Sequence, residues 1–355
     1  MKALLPKCGV LLCLPLMLSA ITGCAQLEYY GQAVQGHLAL MQASRPLDSL
    51  LDNTDTTPQL KARLLAAKQI RQFAVDELAL PDNPSYRSYA QLGQAYALWN
   101  VVATPALSLT PLKWCFPVAG CVSYRGYYKY DAAQQFAQQL RSEGYDVRVE
   151  GVPAYSTLGW FNDPLLSTFI NAPDASLARL IFHELAHQVV YVKDDSAFNE
   201  SFATTVEQAG VQRWLDKFGD DSMRRNYEQD DRRRREFLVL LQEYRAQLEA
   251  LYKSGVDASL TLQAKQGIFQ ALKQDYQALK ASWGGYPNYD RWFAEPLSNA
   301  HFVSIATYHD LVPGFQAMLA DSANFQEFYR SVKRLSAQEK ASRTAQLRLL
   351  AQQQK

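Results

Sequence analysis

The sequence predicts an α+β, mainly helical fold in which a small β-sheet stands beside one buried helix carrying two histidines. Three observations carry this. Beyond Asn199 nearly every stretch repeats apolar residues at three- and four-residue intervals, the period of an amphipathic helix. Between Tyr96 and Val152 the texture changes to aromatic and β-branched runs broken by Pro and Gly, which favour short strands. The stretch "IFHELAHQVV", Ile181 to Val190, sets Glu184 and two histidines among uncharged, mostly apolar neighbours, as a helix buried on most sides requires.

Taken in order, residues 1–23 read as a signal peptide. Lys2 and Lys7 form a short basic start, and "CGVLLCLPLMLSA" is an apolar core too short to span a bilayer comfortably. "ITGC", Ile21 to Cys24, resembles the lipobox of bacterial lipoproteins, in which the cysteine is lipidated and becomes the first residue; an ordinary secretory signal is the alternative. Ala25, in place of an aspartate, resembles lipoproteins sent to the outer membrane. The expectation is a periplasm-facing domain of the bacterial envelope, held to the membrane through lipid on Cys24. Removing Lys2 and Lys7 takes the formal charge from +1 to −1, and so near-neutral a chain lacks the basic field that nucleic-acid binding needs.

The rest is expected to form one domain over 24–335 with a C-terminal helical tail over 336–355. Residues 24–95 supply N-terminal helices, "YYGQAVQGHLALMQ" and "PQLKARLLAAKQIRQFAVDEL", with "RPLDSLLDNTDTTP" as a polar loop between them. Residues 96–170 form the small β part. In it "DAAQQFAQQLRSEG" reads as a short helix ended by Gly144, and "YDVRVEGV" alternates like a strand open on one face. Residues 171–335 form the helical part, beginning at Asn171, Pro173 and Asp174, good helix-start residues. Helices are expected at 197–218, 224–253, 260–282 and 321–350, and the last residues as a frayed end. The run "DDRRRR", Asp230 to Arg235, lies mid-helix with acidic neighbours and reads as a solvated, ion-paired face.

Beyond the signal and its Cys24 only Cys115 and Cys121 remain, and an oxidising periplasm predicts a disulfide between them. A zinc knuckle would need two further ligands nearby, and a redox pair usually has two intervening residues; neither is visible.

On a helix, residues i and i+4 share a face, so His183 and His187 can reach one zinc ion. Glu184 lies about 100° round from His183, placed to act on a water rather than on the metal. The third histidine of the metzincin extension is absent, since Val190 and Lys193 hold its diagnostic places. Instead Glu200 follows thirteen residues after His187, at the start of the next helix, and completes the His-His-Glu set of gluzincins. Glu207, two turns on, is either a partner of a ligand histidine or a solvent-facing residue.

The lipobox, "WCFPVAGCVSYRGYY", "AYSTLGWFNDPLLSTF", "HELAH", "NESFA" and "SIATYHDLVPGF" together resemble the bacterial family of predicted aminopeptidases, proteobacterial lipoproteins with this zinc motif. The resemblance covers about 24–335. It implies a zincin-like metallopeptidase with one Zn2+ per chain, bound by His183, His187 and Glu200, with Glu184 as general base and a peptide as substrate. The glycine-rich motif by which thermolysin-like aminopeptidases hold an α-amine is absent, so exo- and endopeptidase action both stay open.

In zincin folds an edge strand before the zinc helix pairs with the substrate, and "DVRVEGVPAYST" occupies that place. Tyr155, Ser156 and Thr157 either line the cleft or belong to a packed loop, and Asp163 either meets an α-amine or turns the chain before Pro164. Tyr308 and His309 are candidate donors to the oxyanion, His309 alternatively capping a helix or pairing with Asp310. His37 and His301 read as structural or solvated. Two other functions remain: a non-catalytic zincin-like envelope lipoprotein binding peptides or cell-wall components, and a zinc hydrolase of a non-peptide amide.

Overall fold

The computed structural model describes residues 29–116, 120–154, 156–303 and 311–353; the expected signal segment and Cys24 lie outside them. Among the described residues the chain is mainly helical with three small sheets. Helix α1 covers 29–43 and leads into β1 (Ser44–Pro46), α2 (Leu47–Asp52) and α3 (Pro58–Asp76). The Thr57 side chain accepts from the Leu60 amide at 3.2 Å, and Pro58 fills the first turn, where no donor is needed, so α3 starts cleanly. The stretch expected as a polar loop therefore contains a strand and a short helix. Its Leu47 and Leu50 reach the main core, and tertiary burial outweighs the weak local signal.

Strand β1 pairs antiparallel with β2 (Ser88–Ala90), which pairs parallel with β8 (Leu165–Leu166) just ahead of the histidine helix. A second sheet runs β6 (Arg125–Tyr127), β3 (Leu98–Pro105), β7 (Tyr145–Val152), with Leu98 opposite Val152 and Pro105 opposite Tyr145. Helix α4 (Tyr130–Ser142) covers it and buries Ala133, Ala137 and Leu140 against Val101, Ala103 and Val147. The sheet that shares a core with the histidine helix is thus the β1–β2–β8 sheet, while β7 belongs to a layer with its own core. The third is the hairpin of β4 (Trp114–Phe116) and β5 (Gly120–Val122), in which Cys115 stands opposite Cys121 and the two form the expected disulfide.

Helix α5 (Asp174–His187) carries both histidines and packs along α6 (Ser196–Phe218). Their buried Leu177, Ile181, Phe182, Phe198, Phe202 and Val206 form the centre of the principal core. Helices α7 (Asp221–Lys253) and α8 (Ala258–Ser282) make a second hairpin around an aromatic core of Phe237, Tyr276, Phe293 and Phe302. The helix expected over 321–350 is instead three: α9 (Val312–Ala320), α10 (Phe325–Ser336) and α11 (Lys340–Gln353). Nor does the end fray. Leu347 is fully buried, and the Cα of Gly314 comes so near the Leu347 backbone that a Cβ there would lie 2.2 Å from its carbonyl oxygen. Among the described residues no helix is long and apolar enough to cross a membrane.

Candidate metal centre

Arg63 of α3 fixes the start of α5 by donating to the Ile170 and Ala172 carbonyls and to Asp174 Oδ1, at 2.9, 2.6 and 2.5 Å. From there the helical period alone turns Leu177, Ala178, Ile181, Phe182, Leu185 and Ala186 into the core and leaves His183 and His187 together on another face. The chain returns through 188–195, where Asp194 takes a left-handed conformation at φ 64°. The side-chain amide of Asn199 closes this connection: it accepts from the Val192 amide and donates to the Val192 carbonyl, both at 2.8 Å. Glu200, the next residue, is thereby set just past the first turn of α6. Close approach of the two helices depends on Gly210, where a Cβ would lie 2.7 Å from Leu78 Cδ1 and 2.8 Å from Phe182 Cδ2.

The result is a tight donor set. His183 Nε2 and His187 Nε2 are 3.2 Å apart; Glu200 Oε2 is 3.2 Å from His183 Nε2, and Glu200 Oε1 is 3.7 Å from His187 Nε2. One ligand atom from each of the three lies within 4.8 Å of the others. A tetrahedral ion about 2.0–2.1 Å from nitrogen or oxygen donors would separate them by about 3.3 Å, so this spacing fits a metal ion.

Behind the set stands Glu207. Its Oε2 accepts from His183 Nδ1 at 2.7 Å and its Oε1 accepts from Arg179 Nε at 2.6 Å. Burial alone would raise its carboxyl, but Arg179 and His183 overcome this and hold it down at about 2. An ionised carboxylate can only accept, so His183 must carry its proton on Nδ1, and a neutral ring then presents the Nε2 lone pair to the other donors. Burial opposes charge on His183, yet hydrogen bonds to Glu200 and Glu207 prevail and hold it well above the ordinary histidine value. His187, by contrast, is lowered by burial to about 4, and its Nδ1 is buried with no hydrogen-bond partner among the described residues. Two imidazole nitrogens and a carboxylate facing one another this closely need a positive charge among them, a proton or a metal cation. Glu184 is raised to about 7, chiefly by burial and also by the negative charge of Glu200.

Glu207, left open between two roles by the sequence, is therefore the histidine's partner and not a surface residue. Arg179 and Asn199 were missed, although Arg179 had a signal: it precedes His183 by one turn, so Arg179, His183 and His187 form one i, i+4, i+8 row. Asn199 had no local mark.

Ser156 and Thr157 spend their polar atoms within their own loop. Ser156 Oγ accepts from the Leu158 amide at 3.1 Å, and Thr157 Oγ1 both donates to and accepts from the backbone of Phe161. Asp163 is the hub of this loop, taking the Thr157 amide at 2.9 Å; burial raises it to about 6, and its charge is felt by Glu184. His301 is structural, its Nδ1 accepting from the Ser298 amide at 3.1 Å, and His37 packs on Phe161 with ring centres 4.4 Å apart. Tyr155, Tyr308 and His309 lie outside the described residues.

Neither the curated proteins nor the solved structures contain a match to this chain. A family described as "Putative aminopeptidase" matches residues 28–347, a span that holds all three sheets, both helical hairpins and every residue of the donor set. The chain belongs to that putative aminopeptidase family.

Proposed function

We propose that the protein is a lipid-anchored, zinc-dependent peptidase of zincin-like fold that works in the bacterial periplasm and, as its family description suggests, trims peptides from the amino end. The observation that carries this reading is the convergence of His183, His187 and Glu200 with Glu184 beside them. Zinc suits two imidazoles and one carboxylate, and when bound it supplies Lewis-acid polarisation of a carbonyl and acidifies water. His183, His187 and Glu200 would hold it. Glu207 fixes the His183 tautomer, and Arg179 fixes Glu207.

Glu184 does the proton work. Its carboxyl, lifted by burial to about 7, is poised to take a proton at neutral pH and to give it back. The water oxygen bonds to the scissile carbonyl carbon while its proton passes to Glu184. The carbon–nitrogen bond then breaks, and Glu184 returns the proton to the leaving amine.

The test begins with the domain from Ala25 onward, purified without chelator. Elemental mass spectrometry is expected to find one zinc per chain, and a peptide library is expected to be cleaved. Glu184→Gln should keep the zinc and lose cleavage by about 10²–10⁴-fold. Undiminished cleavage in that variant, or failure of the domain to take up zinc, overturns the reading. A domain that holds zinc and peptides but cleaves none would be an envelope binding protein instead. The anchor is tested by Cys24→Ser, which should move the protein from the membrane fraction to the soluble periplasm.

A further inference from the structure

The disulfide hairpin has a second anchor besides its own bond. The Cys121 amide donates to Asp194 Oδ1 at 2.6 Å, and Asp194 lies in the connection between the two metal-binding helices. Gly120 makes this contact possible. Its φ is +75°, and a Cβ there would lie 2.5 Å from Asp194 Oδ1 and 2.7 Å from Lys193 Cγ, so only glycine lets the hairpin come this close. Three residues after Cys121 comes Tyr124, and the next residue enters β6, which is paired to β3 with Arg125 opposite Val101. Tyr124 is therefore held from both sides, by a stapled hairpin seated on the α5–α6 connection and by a strand in the main antiparallel sheet.

The side chain so placed is open and yet enclosed. Its ring is 43 % exposed, but desolvation by surrounding protein raises the hydroxyl well above the usual tyrosine value, with further contributions from Glu200, Tyr191 and Glu184. The residue is thus open to solvent on one side, and the charges acting on its hydroxyl belong to a metal ligand and to the proposed base. A tyrosine hydroxyl is protonated at neutral pH and remains so here, and it can therefore donate a hydrogen bond.

We infer that Tyr124, carried to the mouth of the donor set by the disulfide hairpin, is a catalytic residue whose hydroxyl donates a hydrogen bond to the substrate carbonyl oxygen as that oxygen gains negative charge. The inference rests on the peptidase reading above. Chemically it supplies the donor that acyl transfer needs besides the metal, aimed at charge that develops only in the transition state. The residue takes no proton and forms no bond to carbon; the proton balance stays with Glu184.

The experiment compares zinc-loaded wild type with Tyr124→Phe, which removes one oxygen and keeps the ring. Three quantities are read: zinc per chain, kcat and KM for a cleaved peptide, and the affinity of the matching phosphinic peptide, whose PO2 group mimics the tetrahedral centre. The expected result is full zinc, KM within about twofold, and kcat and phosphinic-peptide affinity both lower by about 10²–10³-fold. Unchanged kcat and phosphinic-peptide affinity in zinc-replete Tyr124→Phe overturn the inference and leave the peptidase reading standing. Loss of zinc from the variant also overturns it, since Tyr124 would then serve the metal and not the carbonyl. A wild type that holds zinc but neither cleaves peptides nor binds the phosphinic peptide overturns the peptidase reading, and this inference with it.

Discussion

The α5–α6 and α7–α8 hairpins are both long pairs of helices rich in ionisable residues, and they dispose of their charge in opposite ways. In α5–α6 the charge turns inward: Glu207 has 4 % of its side chain exposed, and it joins Arg179 to His183 in one continuous chain of hydrogen bonds. In α7 most of it turns outward. Asp230 pairs with Arg233 at 3.1 Å and Asp231 with the exposed Arg235, ion pairs of the kind the sequence suggested, but Arg234, paired with Asp231 at 2.6 Å, has only 16 % of its side chain exposed and its charge reaches Glu207, so the run is not solvated throughout. What holds α7–α8 together is aromatic: Tyr276 stacks on Phe293 with ring centres 4.1 Å apart, and Phe237 on Tyr289 at 4.2 Å. The lesson is that burial, not the count of charges, decides whether an ionic residue matters. A carboxylate taken out of water must find partners, and those partners then fix its geometry; an exposed one is already satisfied by solvent.

The most severe way to break the contrast is to remove a ligand. Glu200→Ala is expected to lose most of the metal, measured by equilibrium dialysis at limiting zinc; full occupancy would take Glu200 out of the ligand set. Next in size is the buried pair outside the donor set, where Arg343 of α11 clasps Asp195 Oδ2 through Nε and a terminal nitrogen at 2.9 and 2.7 Å. Arg343→Met leaves Asp195, buried at the head of α6, with only the exposed Lys340 at 3.2 Å to pair it, and chemical denaturation should show a loss of up to about 3 kcal/mol.

Asp163 sharpens the comparison through pH. Its folded carboxyl is raised by burial to about 6 from an ordinary 3.8, so it contributes stability that is present below about pH 4 and lost as pH rises through 6. At about 1.4 kcal/mol per pH unit, that loss is up to about 3 kcal/mol. Asp163→Asn, which keeps an oxygen to accept the Thr157 amide, should be the more stable protein at pH 8, and the difference should vanish near pH 4. Thermal melts of the two proteins across that range decide it.

A smaller effect is expected from Arg179→Gln. With Glu207 less firmly held, zinc affinity measured by chelator competition should weaken by about 10–100-fold, and an affinity within twofold of wild type would show that Glu207 needs no such support. Smallest is Arg235→Ala in α7, whose arginine side chain is 63 % exposed. Its melting curve should match wild type to within about 1 kcal/mol.

Much of the architecture was legible in the sequence because it depends on local spacing. The expected helices at 197–218, 224–253 and 260–282 match α6, α7 and α8 to within three residues at each end, and the strand "YDVRVEGV" is β7 in full. Failures fell where packing outweighed pattern. The C-terminal stretch has continuous helical periodicity, yet α10 ends at Ser336 because α11 folds back on α9. The loop before α3 contains α2 because Leu47 and Leu50 found a core to enter.

The candidate site divides along the same line. The sequence by itself determined that His183 and His187 share a face with Glu184 beside them, since 3.6 residues per turn leaves a helix no other arrangement. It also pointed to the disulfide, since only Cys115 and Cys121 lie outside the first 24 residues. Only the tertiary structure decided that Glu200 completes the donor set, that Glu207 faces His183 while Arg179 faces Glu207, and that the disulfide hairpin is seated on the α5–α6 connection. Those relations depend on how near two helices and a hairpin can come. That is set by the missing side chains of Gly210 and Gly120 and by the Asn199 clamp on Val192, contacts between residues whose spacing in sequence carries no period.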